Sequence, residues 1–65
     1  MKLIKLKEVM EMTSLSKATI YRMIKQEAFP EKLSIGGRAV AWVESEVQNW
    51  ILTRIEERDS QSGTD

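Results

Sequence analysis

Apolar residues return at helical spacing in three separate stretches of this chain, and between the second and third they switch to the tighter alternation of strands. Leu6, Val9 and Met10, with Met12 close behind, predict a first short helix that turns Glu8 and Glu11 outward. Thr13 and Ser14 end it, because such side chains compete for nearby backbone hydrogen bonds. Ser16 then offers a cap for a second helix, in which Ile20, Met23 and Ile24 share one face. Two short helices joined by a turn of about three or four residues make a helix-turn-helix, here with Ser14 where a glycine often stands.

The far side of the second helix carries the polar chemistry. At about 100° per residue, with Ile20 set at zero, Ala18, Tyr21, Arg22, Lys25 and Gln26 all point away from the apolar stripe. That face is basic and holds no acid. A DNA major groove accepts such a helix, since cations meet phosphates and guanidinium or amide groups meet base edges. A solvated face on a small core has the same composition, so the helix alone leaves both readings open.

Past Gln26 the pattern breaks, and Phe29 before Pro30 marks an extended exit. Lys32–Ile35 and Arg38–Trp42 then flank Gly36-Gly37, a pair suited to the positive φ angles of a two-residue hairpin turn. That register pairs Ile35 with Arg38 and Leu33 with Val40, which gives the hairpin a dry side of Leu33, Ile35, Val40 and Trp42. At its tip Arg38 is within reach of a phosphate, and the two glycines let the backbone come close. A last helix is expected from Glu44 or Ser45, with Ser45 and Gln48 as an S-x-x-Q capping box and Val47, Trp50, Ile51 and Ile55 closing the core. On that stripe Trp50 reads as core and not as a base-stacking ring. Met1–Leu6 is an extended lead-in whose Leu3 and Ile4 tack onto the core. The folded domain is expected over residues 1–58, and the polar, aperiodic 59–65 is expected to be a disordered tail.

Size and composition narrow the function. A chain of 65 residues makes one domain, and it buries only about 60% of its unfolded surface, too little for a deep substrate cavity. With no cysteine and no histidine, disulfides, zinc fingers, thiol nucleophiles and imidazole bases are excluded. No carboxylate sits in a motif that would position it for acid–base work. The expectation is a non-enzyme without metal, cofactor or small-molecule substrate. Apolar runs are too short to span a membrane and no signal sequence leads the chain, so a soluble, cytoplasmic protein is expected, with no membrane partner. The formal net charge of zero is polarised: residues 1–43 hold eight Lys/Arg against four acids, a net +4, and residues 44–65 hold two against six, a net −4. A basic recognition half backed by an acidic end fits nucleic-acid binding, although overall neutrality weakens long-range steering.

With this order of elements complete, the words themselves look familiar. L-I-K-L-K-E-V-M-E-M-T-S-L-S-K-A-T-I-Y-R-M-I-K-Q-E-A-F-P, then I-G-G-R-A-V-A-W, then E-S-E-V-Q-N-W-I closely resemble the AlpA family of small prophage-associated regulators, from Leu3 to about Arg54. That family is similar in turn to excisionases and to the DNA-binding domains of MerR-type regulators. The resemblance implies a mainly α fold with a small β-hairpin: a winged helix-turn-helix of three helices plus a two-stranded wing. It implies a sequence-specific, DNA-binding transcriptional regulator of a mobile element, acting on double-stranded DNA at an integrase or excision gene. Ser16, Lys17, Thr19, Tyr21 and Arg22 fall on the family's S-K-x-T-I-Y-R block of the recognition helix, and Gly36, Gly37 and Arg38 fall on its wing. Physically, Arg22 and Lys25 are the strongest DNA contacts, one suited to a guanine edge and the other to phosphate. Tyr21 and Thr19 suit phosphate oxygens, Lys17 lies at the positive helix end, and Gln26 finishes the helix.

Two other functions fit the same residues. One is an excisionase-like architectural factor that bends DNA alongside an integrase. The other is a small protein-binding adaptor that uses the acidic Glu56, Glu57 and Asp59, a cluster that equally suits a solvated, frayed helix end. One short helix offers few DNA contacts, so either DNA-binding role favours self-association of several copies on DNA.

Overall fold

The computed structural model describes residues 1–62. Its elements run β1 (Leu3–Ile4), α1 (Leu6–Thr13), α2 (Lys17–Lys25), β2 (Leu33–Gly36), β3 (Ala39–Val43) and α3 (Glu44–Ser62). Three helices and a small antiparallel hairpin form a winged helix-turn-helix. The lead-in does more than tack on: β1 pairs antiparallel with β3, so the sheet has three strands in the order β1-β3-β2.

Local chemistry sets both ends of the two-helix turn. The Thr13 hydroxyl donates to the Val9 carbonyl at 2.8 Å and accepts the Leu15 N–H at 3.2 Å. Ser14 takes a left-handed φ of 62°, which lets its N–H reach the Met10 carbonyl at 2.8 Å. A glycine would adopt that angle without the Cβ penalty. Ser16 caps α2 as expected, its hydroxyl accepting the Thr19 N–H at 3.2 Å. At the other end of α2, Glu27 sits at φ 59° while its N–H bonds the Ile24 carbonyl and the Ala28 N–H bonds the Met23 carbonyl. This pair of bonds is a Schellman motif built on a non-glycine residue.

The core gathers residues from every element except β2. Ile4, Val9, Ile20, Trp42 and Val47 are essentially fully enclosed, and Phe29 joins them from the α2–β2 connection. Fully burying a side chain such as Ile20 contributes about 1.5–3 kcal/mol. Two indole N–H groups pin that connection: Trp42 donates to the Pro30 carbonyl at 3.1 Å and Trp50 to the Ala28 carbonyl at 2.9 Å. Trp50 packs against the core from its edge, half-buried, with its ring edge-on to Phe29 at 4.8 Å.

The hairpin departs from its expected register. Leu33 pairs with Ala41 and Ser34 with Val40, after which Ile35 and Gly36 together oppose Ala39 in a bulge. The two-residue turn is therefore Gly37-Arg38. Both glycines have positive φ, 129° at Gly36 and 52° at Gly37, but the first uses it for the bulge. One inserted residue changes which face follows it, so the expected dry side does not form. Trp42 is enclosed and Val40 half-buried, whereas Leu33 and Ile35 are exposed.

The last helix starts at one of the two expected positions but differs in its cap and at its far end. It begins at Glu44, directly after β3, which places Ser45 inside the first turn and leaves no capping box. The Glu44 N–H is satisfied instead by the Lys2 carbonyl at 2.9 Å, an extension of the β1–β3 ladder. Ile55, expected to close the core, is 38% exposed because α3 has run beyond the sheet by that point. The helix continues through Asp59–Ser62, part of the stretch expected to be a tail, since each residue added to a nucleated helix gains a backbone hydrogen bond. Residues 63–65 lie outside the described residues. No helix among the described residues is long and apolar enough to cross a membrane.

Candidate nucleic-acid interface

The capped start and Schellman end fix α2 as a rigid nine-residue rod, and Ile20 anchors it. With Ile20, Met23 and Ile24 turned inward, Lys17, Ala18, Arg22, Lys25 and Gln26 are exposed on its outer side. The ion pairs lie elsewhere, between Lys2 and Glu44, Glu31 and Lys32, Arg54 and Glu57, and Arg58 and Asp59. Among the described residues, then, Lys17, Arg22 and Lys25 project into solvent without a carboxylate partner. Arg22 and Lys25 in the last turn complement the helix dipole, while Lys17 at the first turn opposes it, a cost that a bound anion there would offset.

Thr19 and Tyr21 are placed differently from the exposed cations. Thr19 is half-buried and its hydroxyl accepts from the Ser16 hydroxyl at 2.9 Å, so both side chains take part in the cap. Tyr21 is half-buried on the flank facing the sheet, with its ring edge-on to Trp42 at 6.4 Å and 77°. Lys32, which sequence reasoning placed only at the start of the hairpin, holds its ammonium 5.4 Å from the Tyr21 ring centroid. No local signal could reveal that contact, because the two residues meet only after α2 and the sheet have packed.

At the wing tip, Arg38 is exposed within the turn and makes no ion pair among the described residues. A Cβ built on Gly36 or Gly37 would meet nothing within 4 Å, so these positions face open space. Backbone angle and not crowding is what asks for glycine there. The sequence-derived site residues thus fall into two groups, the outer face of α2 and the turn of the wing. The sheet that carries the turn is tied to α2 through Tyr21, Trp42 and Lys32. Among the described residues, no group of three or more His, Cys, Asp or Glu side chains is arranged to hold a metal ion.

The sequence model of the family described as "Prophage CP4-57 regulatory protein (AlpA)" matches residues 2–55. A protein of Enterobacteria phage P4, "Uncharacterized protein ORF88", is 48% identical over 48 residues, which cover 74% of this chain and 54% of that protein. The "DNA-binding transcriptional activator AlpA" of Escherichia coli K12 is 29% identical over 59 residues, covering 82% of this chain and 84% of the other. The chain thus spans about half the length of the phage relative and most of the bacterial one.

Proposed function

This chain belongs to the AlpA family of prophage regulatory proteins, and from that premise we infer that it is a sequence-specific, DNA-binding transcriptional regulator. Its α2 helix enters the major groove, with Arg22 and Lys25 against base edges and phosphates and with Lys17 at the helix start on the backbone. The Gly36-Gly37-Arg38 tip follows the flanking strand, where Arg38 meets a phosphate. The observation that carries this reading is the sorting of charge: the exposed cations of α2 and the wing turn are unpaired among the described residues, while Glu44, Glu57 and Asp59 of α3 pair with cations from outside α2 and the wing turn. The activator role of the Escherichia coli relative supports the same reading.

The target we propose is an integrase or excision gene of the mobile element that carries this chain, bound in the cytoplasm by more than one copy. A single helix of nine residues and one wing turn offer few contacts, and an operator bound at useful affinity takes several protomers. The test is a fluorescence-anisotropy titration against duplex DNA from upstream of the protein's own gene and of the nearest integrase gene, at two salt concentrations. One fragment bound more tightly than scrambled DNA, with affinity falling steeply as salt rises, is the expected result. Equal and feeble binding to all fragments would overturn it.

A further inference from the structure

Lys32 belongs neither to the outer face of α2 nor to the wing tip. Lys32 immediately precedes β2, so its main chain belongs to the root of the wing, yet its ammonium reaches back over the Tyr21 ring of α2 at 5.4 Å. Its side chain is 35% exposed, against 64% for Lys2, and its ion-pair partner is Glu31 at 3.6 Å, itself 69% exposed. A lysine side chain about two-thirds covered is thus paired with a carboxylate that stands mostly in water. Tyr21 is held between Lys32 and Trp42. Its hydroxyl makes no hydrogen bond among the described residues and is not enclosed, since no buried side-chain N or O there lacks a partner.

We propose that the Lys32 ammonium and the Tyr21 hydroxyl together seat one phosphate of the DNA backbone in the crevice between α2 and the wing, with Glu31 occupying the ammonium until the phosphate displaces it. The proposal rests on the DNA-binding reading above. A phosphodiester has two non-bridging oxygens and one negative charge, so one oxygen takes an N–H from Lys32 and the other takes the phenolic O–H. The ammonium has donors enough to do this without leaving the ring face. Packing alone would be served by phenylalanine at position 21, and an unenclosed hydroxyl on a ring that faces a cation adds what packing does not need. Strand β2 carries the chain about 13 Å from this root to the bulge before the tip. The wing therefore presents Lys32 at one end and Arg38 at the other to the same duplex backbone.

The experiment compares the parent protein with Lys32→Gln, Tyr21→Phe and Glu31→Gln on the fragment that the parent prefers, titrated from low to high salt, with thermal melts alongside. Lys32→Gln is expected to bind about tenfold more weakly at low salt and to make the salt slope shallower by about one unit. Tyr21→Phe, which removes a neutral donor, weakens binding and leaves the slope unchanged, and Glu31→Gln tightens binding. Loss of packing alone moves the melting temperature and not the slope. A Lys32→Gln protein with the parental slope overturns the phosphate seat while the regulator reading stands. A parent that prefers no fragment overturns the regulator reading and the seat with it.

Discussion

Trp50 donates its indole N–H to the Ala28 carbonyl at 2.9 Å, and with the Trp42 bond to Pro30 it clamps the segment where α2 gives way to the wing. The two indoles differ in burial, Trp42 fully enclosed and Trp50 half-buried, and their losses should differ accordingly. Trp42→Ala removes about 3–5 kcal/mol, comparable to the whole stability of about 3–5 kcal/mol that so small a core supplies. It is expected to be unfolded at 25 °C. Trp50→Ala, at the lower end of that range, is expected to keep a cooperative but lowered melt by far-UV circular dichroism. A normal melt for Trp42→Ala would remove it from the centre of the core.

Two helix ends rest on non-glycine residues in left-handed backbone, Ser14 at φ 62° and Glu27 at φ 59°. Replacing either by glycine relieves the Cβ conflict and gives back part of that in unfolded-state entropy. Ser14→Gly and Glu27→Gly are each expected to stabilise the protein by about 0.5–1 kcal/mol in urea denaturation. A loss of stability in both would show that the side chains carry contacts that outweigh the backbone angle.

The Ser16 cap serves the interface through stability. Ser16→Ala leaves the Thr19 N–H without its partner and is expected to cost about 1 kcal/mol. Hydrogen exchange should quicken first at the amides of the first turn of α2. Uniform quickening across the core would instead mean that the helix opens only with the whole domain.

The two wing glycines should respond unequally. Gly37 at φ 52° lies where asparagine is tolerated, whereas Gly36 at φ 129° lies where side chains rarely go. Gly37→Asn is expected to fold and melt nearly as the parent does, while Gly36→Ala costs about 1–3 kcal/mol through backbone strain. Equal melting temperatures for the two variants would contradict the bulge at Ile35–Gly36.

On DNA, Arg22→Ala is expected to weaken specific binding by about 1–3 kcal/mol and to relax preference at one base position. Arg38→Ala is expected to weaken all sequences alike and to lower the salt slope by about one unit. Anisotropy titrations on specific and scrambled duplexes separate the two. Parental affinities for both variants would exclude the proposed interface.

What the sequence made legible was set by neighbours along the chain. Ser16, the Thr13-Ser14 stop and the Ile20 stripe are decided within one or two helical turns, and the helix-turn-helix follows from them. Distant partners decided the rest. The capping box at the start of α3 is absent and the Glu44 N–H finds its acceptor on Lys2 instead, and the hairpin register moved because a bulge at Ile35 has no signature beyond glycines that fit either turn. Arg22 and Lys25 could be read from helical angle alone, whereas the packing of Tyr21 against the sheet and its contact with Lys32 required both elements in place.

The bond from the Glu44 N–H to Lys2 has a consequence for the order in which the protein acquires its fold during synthesis. β1 is made first but pairs with β3, so on a ribosome adding about 5–20 residues per second it waits roughly 2–8 s for its partner. Throughout that interval Ile4, Val9 and Ile20 have no Trp42 or Val47 to cover them. Helix α2 is therefore translated early and secured late, and a nascent chain stalled before Trp42 presents its apolar residues to chaperones and proteases.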